Sequence, residues 1–101
     1  MNKWYLRKVF NNYELYCNDD NICDKAPILE LIDIIKNKYD DVIFEDDYSN
    51  IMYGEYSKKV IINGIEFSIS EELYTLVFST ENTNGNHIIF EISEILNAQM
   101  Q

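Results

Sequence analysis

The chain is short of the residues that carry out chemistry and of those that interrupt structure. Its 101 residues include one histidine (His87), two cysteines (Cys17 and Cys23), one proline (Pro27), three glycines and two alanines. A closed zinc site needs about four Cys or His ligands, and these three residues at unrelated spacings do not supply them. Asp19, Asn21 and Glu30 fall at positions 1, 3 and 12 of a calcium-loop spacing, but Cys23 takes a ligand position and Asp24 takes the place of the obligatory glycine. No serine or cysteine stands in a recognisable nucleophile setting beside His87, which reads as a polar turn residue. No catalytic residue, metal or cofactor is expected.

Positive charge is also scarce. Eight Lys and Arg stand against 18 Asp and Glu, a net charge of -10, with no Lys or Arg after Lys59 or between Tyr39 and Ser57. Neutralising phosphates takes a basic stripe, and apart from Lys3, Arg7 and Lys8 near the N-terminus the chain has none. Nucleic acid and anionic membrane are therefore not expected as partners, whereas a basic protein is. Long apolar runs are missing as well. Nothing approaches the roughly 20 residues of a membrane span, and Met1 to Phe10 threads Lys3, Arg7 and Lys8 through its apolar residues, unlike a signal peptide. The expected location is the cytoplasm, with Cys17 and Cys23 reduced.

What the chain does have is apolar bulk. Fifteen isoleucines and 14% aromatics exceed what disordered acidic segments carry, so a single globular domain over residues 1–101 is expected. Two aromatic-rich runs, Trp4 to Phe10 and Tyr13 to Cys17, flank Asn11-Asn12 and read as a hairpin. From about residue 27 to 39, Ile28, Leu31, Ile32, Ile35 and Tyr39 repeat at helical spacing, with Asp24 placed to cap the first turn. Val42-Ile43-Phe44 reads as a short buried strand, and Tyr48 to Ser57 as a loop or irregular edge. Asn63-Gly64 between Lys59–Ile62 and Ile65–Ser70 is the strongest hairpin signal in the chain. Tyr74 to Thr80 reads as a further strand, Asn82 to Asn86 as a turn, and His87 to Ile92 as a last strand, with Ser93 onward compatible with a short C-terminal helix. The expected class is α+β, a mainly antiparallel sheet with one principal amphipathic helix on one face.

The strongest functional signal is the acidic, tyrosine-rich stretch of Asp40, Asp41, Glu45, Asp46, Asp47, Tyr48, Tyr53, Glu55 and Tyr56. Carboxylates steer association with Lys and Arg, and tyrosines supply the rigid contact area enriched at interface hot spots. The expected function is inhibition: a bacterial immunity protein that binds a cognate toxin, a nuclease above all, as a monomer or weak dimer. Usage of 12 Asn, 15 Ile, 8 Tyr and 7 Lys points the same way, to an AT-rich gene of the kind that carries such cassettes. Two alternatives are a phage-type nucleic-acid mimic acting as an anti-CRISPR and a non-inhibitory adaptor or scaffold subunit. The run Lys58 to Ser70 resembles the opening strand and turn of the barstar family, small acidic inhibitors of a bacterial ribonuclease. That likeness covers 13 of 101 residues, lies past the middle of the chain, and transfers no inhibitory residue.

Overall fold

Alternation along the strands decides the architecture. The computed structural model describes residues 4–18, 26–47, 56–72 and 75–98, with the backbone alone at residues 18, 26–28, 46–47, 56–57 and 71–72. Six strands, β1 (Trp4–Val9), β2 (Asn12–Asn18), β3 (Val42–Asp47), β4 (Tyr56–Ile62), β5 (Ile65–Glu72) and β6 (Thr75–Ser79), form one antiparallel sheet in the order β1-β2-β6-β5-β4-β3. Residues opposite each other in register share a face. Trp4, Leu15, Cys17, Leu76, Phe78, Ile69, Phe67, Val60 and Ile62 are all buried on one face. Phe67 and Phe78 stack with ring centroids 5.2 Å apart.

Two helices, α1 (Ala26–Lys38) and α2 (Asn86–Ala98), cover that face. The first is the helix expected from the spacing, and it buries Leu31, Ile34 and Ile35 while Lys36 and Lys38 end it favourably for the helix dipole. The second corrects the sequence reading, which placed a strand at His87 to Ile92. Ile88, Ile89, Ile92, Ser93 and Leu96 are buried at helical spacing, so α2 begins at Asn86 and His87 lies exposed in its first turn. The run Ile88-Ile89-Phe90 favours a strand by local propensity, but the apolar stripe continues to Leu96, and burying it against the sheet outweighs that preference. Neither helix is long and apolar enough to cross a membrane.

The connections follow from local chemistry. Asn63 and Gly64 both have positive φ, 52° and 81°, as the expected tight hairpin between β4 and β5 requires. The β1–β2 hairpin also forms, but its turn is one residue earlier than read. Val9 pairs with Asn12, so Phe10 and Asn11 are the central residues and the positive φ of 58° falls on Phe10. A phenylalanine in the left-handed region is strained, and this one is 92% exposed. Phe10→Gly is expected to raise stability by about 1 kcal/mol, read as an increased urea midpoint at unchanged slope. Unchanged or lower stability would mean that Phe10 makes native contacts which offset its backbone cost.

Asn86 ties the start of α2 to this hairpin. Its Oδ1 accepts from Tyr13 N at 3.0 Å, and its Nδ2 donates to Asn11 O at 3.2 Å. Gly85, buried in the short 3-10 turn Thr83–Gly85, sits where a Cβ would lie 3.0 Å from Phe67 Cζ, so a side chain there would press on the core and make Phe67 give way. Val42-Ile43-Phe44 is not a buried strand. It opens β3, an outer strand, with Val42 and Phe44 half-buried towards the helices and Ile43 51% exposed on the other side. Asp24, Cys23, Tyr74 and the calcium spacing at Asp19 and Asn21 lie outside the described residues, while Cys17 is buried in the core.

Candidate partner-binding surface

Because both helices lie on one side, no helix covers the other face of the sheet, its open face, among the described residues. Tyr5, Arg7 and Val9 of β1 share it with Glu14 and Tyr16, with Val77 and Ser79, with Glu66, Ser68 and Ser70, with Lys59 and Ile61, and with Ile43 and Glu45. None of these residues is fully buried. Its two described bases are already engaged. The Arg7 guanidinium pairs with Glu14 and lies 4.6 Å from the Tyr16 ring centre, and Lys59 Nζ is 2.8 Å from Glu66 Oε1 with Glu45 its neighbour in register. The open face therefore offers no spare cation among the described residues, and it offers several carboxylates.

The expected acidic stretch divides along β3. Asp40 and Asp41 are exposed in the turn between α1 and β3, and Asn63 N donates to Asp41 O at 2.9 Å, which ties that turn to the β4–β5 hairpin tip. Glu45 lies exposed on the open face. Asp46 and Asp47 end β3 opposite Lys58 and Ser57, with Asp47 five strand steps or about 17 Å from Val42. Asp40 and Asp41 are thus separated from Asp46 and Asp47 by the length of a strand and do not form one patch. Tyr56 begins β4 opposite Glu71. Tyr48, Tyr53 and Glu55 lie outside the described residues.

Other acids join Asp40 and Asp41 at their end of the sheet. Beside the hairpin tip is a groove of about 730 Å³ lined by Glu66, Ser68, Ser79, Glu81, Asn82 and Thr83, with Gly64 and Thr80 closing it. Thr80, buried, donates from Oγ1 to Glu66 O at 2.8 Å and accepts from Asn82 N at 3.1 Å, which holds the groove wall in place. Among the described residues no ion pair joins Asp40, Asp41 or Glu81. The hydroxyls, the amide and the carboxylate of Glu81, with that of Glu66 shared with Lys59, can accept several hydrogen bonds from a guanidinium or ammonium group. Sequence reading missed this groove because Glu66 and Glu81 are far apart in the chain. Only the pairing of β5 with β6 brings them together, and no local pattern marks it.

Behind the acidic end, Tyr39 Oη donates to Glu91 Oε2 at 2.5 Å and links the end of α1 to α2. Burial, then the hydrogen bond and the charge of Glu91, push the Tyr39 hydroxyl well above its ordinary value of 10.0. A raised value in the fold means that the contribution is complete below about pH 10 and is lost as the pH rises beyond it. Tyr39→Phe is expected to cost about 1 kcal/mol at neutral pH and to remove part of the alkaline loss of stability, read from urea midpoints at pH 8 and at pH 11, about one unit above that value. An identical alkaline loss in the variant would assign it to other groups.

Compared with known proteins, the chain matches no family model, no curated protein sequence and no solved structure.

Proposed function

We propose that this chain is an inhibitor of immunity-protein type, which binds a basic toxin, a nuclease above all, one to one through the acidic end of its open sheet face. The observation that carries the reading is the arrangement of charge: the bases of that face are engaged internally, while Asp40 and Asp41 stand exposed in the turn tied to the hairpin tip and Glu81 stands exposed in a groove with no cation in its lining. A phosphate-reading cleft is lined with Lys and Arg, and a rigid acidic surface of this size can occupy it without itself binding nucleic acid. The open sheet supports the groups that would make contact, so little ordering entropy is lost on binding.

The test is titration calorimetry of the chain against a panel of basic bacterial nuclease domains, with nuclease activity followed in parallel. A one-to-one complex that weakens as salt rises and abolishes cleavage is the expected result. Binding of DNA or RNA by the chain itself at physiological salt, or a complex that leaves cleavage untouched, overturns the inhibitor reading.

A further inference from the structure

The sheet has two outer strands, and they are defended differently. Two-residue turns at Phe10-Asn11 and Asn63-Gly64 make Val9–Asn12 and Ile62–Ile65 hydrogen-bonded pairs, and such pairs alternate along an antiparallel ladder. The outward N–H and C=O groups therefore belong to Trp4, Leu6 and Lys8 on β1, and to Val42, Phe44 and Asp46 on β3. Acids line β3: Glu45, Asp46 and Asp47 lie in it, with Asp40 and Asp41 just before it. Two copies meeting there would set acid against acid, the usual protection of an edge. No acid lies between Trp4 and Tyr13. Of the seven exposed large apolar side chains among the described residues, four are Tyr5, Leu6, Val9 and Phe10.

We infer that the outer edge of β1 is a self-association surface, on which a second copy of this chain pairs its own β1 antiparallel about a two-fold axis. This stands apart from the inhibitor reading. In a chain of net charge -10, the acid-free stretch is where two copies approach with least repulsion. An acidic strand from another protein is a poorer fit, because Arg7 is already held by Glu14 and Tyr16 and only Lys8 is left of the described bases of the strand, so the edge offers main-chain groups and apolar contact more than charge. Two-fold closure also selects a register. Outward-facing residues must oppose each other, and a centre on Arg7 or Lys8 would place like charges together. Centred on Leu6, the pairing sets Leu6 against Leu6, Tyr5 against Arg7 and Trp4 against Lys8 of the second copy, with no like-charge pair. Phe10, exposed in a strained turn that does not need it, extends the apolar surface past the last pair. Six residues of strand bury less than the roughly 1,200 Å² of a standard interface, so the dimer is weak.

Sedimentation equilibrium of the full chain, from about 10 to about 500 µM and in about 50 and about 500 mM salt, tests this. A monomer–dimer equilibrium that tightens with salt is expected, because screening removes repulsion between two acidic bodies. Its sign is opposite to that of a complex with a basic partner, so failure of one reading is distinguishable from failure of the other. Lys8→Pro removes an outward N–H and leaves the β1–β2 ladder whole, so it should weaken the dimer at least about tenfold, by the tenfold scale of 1.4 kcal/mol, without changing the melting curve. Leu6→Cys in a Cys23→Ser background should give a covalent dimer on oxidation, since opposed Cα atoms about 5.5 Å apart lie within disulfide reach. A monomer under all conditions, or a dimer indifferent to Lys8→Pro and not captured by Leu6→Cys, overturns the inference. Species heavier than a dimer overturn the two-fold closure and assign β1 to the acidic edge β3 of the next copy, an open-ended contact.

Discussion

Phe78→Ala is expected to lower stability by about 3–5 kcal/mol, the range for removing a buried phenylalanine. Phe78 is fully buried in β6, stacked on Phe67 at 5.2 Å, with Leu15 of β2 and Ile69 of β5 opposite it in register. It therefore supports both halves of the sheet at once, and little around it can move to fill the space, because the neighbouring side chains sit on paired strands. A domain of this size holds about 5–15 kcal/mol in all, so the variant should unfold at a much lower urea concentration, with a part of the population unfolded at 37 °C. Phe78→Leu should recover most of the loss, to within about 1.5 kcal/mol of the parent. A loss below about 1 kcal/mol for Phe78→Ala, at unchanged denaturant slope, would show that the core is not packed around this ring.

Reversing charge at Asp40, Asp41 and Glu81 to lysine is expected to slow association with the basic partner by about tenfold or more, the lower end of what electrostatic steering contributes. All three side chains are exposed, and surface changes of this kind usually move stability by about 0.5 kcal/mol or less, so the fold should survive. The salt dependence of the on-rate should flatten or change sign in the same variant, which a purely structural effect would not produce. Reversal at Glu30 and Asp33 on α1, behind the sheet, should have a smaller effect. Equal effects from both sets would mean that net charge alone steers the encounter, and no effect from the first set would move the contact surface away from the groove.

Much of the fold was legible because the signals were local. Asn63-Gly64 specifies its own turn, the repeat from Leu31 to Ile35 specifies a face of α1, and alternation through Ile65, Phe67 and Ile69 specifies which side of β5 is buried. Two errors share one cause, since short apolar runs do not declare their period. Ile88-Ile89-Phe90 belongs to a helix, and Val42-Ile43-Phe44 to an outer strand whose middle residue faces outward. The strand order was not legible at all, because nothing local says that β2 lies beside β6. The acidic surface was legible in composition but not in shape. β3 separates Asp40 and Asp41 from Asp46 and Asp47, while strand pairing brings Glu66 and Glu81 to the groove.

The junction of β2 with β6 has a consequence for folding kinetics. Every other pairing in the sheet joins strands consecutive in the chain, whereas Leu15 meets Phe78 across most of its length. Consecutive strands need little loop closure, so β3 to β6 can assemble first, and the β1–β2 hairpin is the piece that must be brought in from afar. Late docking predicts that truncation of Leu15 acts mainly on the unfolding rate, while truncation of Val60 or Phe67 also slows folding. It also leaves a moment in which β6 is an open edge and the hairpin is unattached. At high protein concentration that hairpin can be supplied by a neighbouring molecule, which makes exchange of residues 4–18 between copies the characteristic misassembly of this topology.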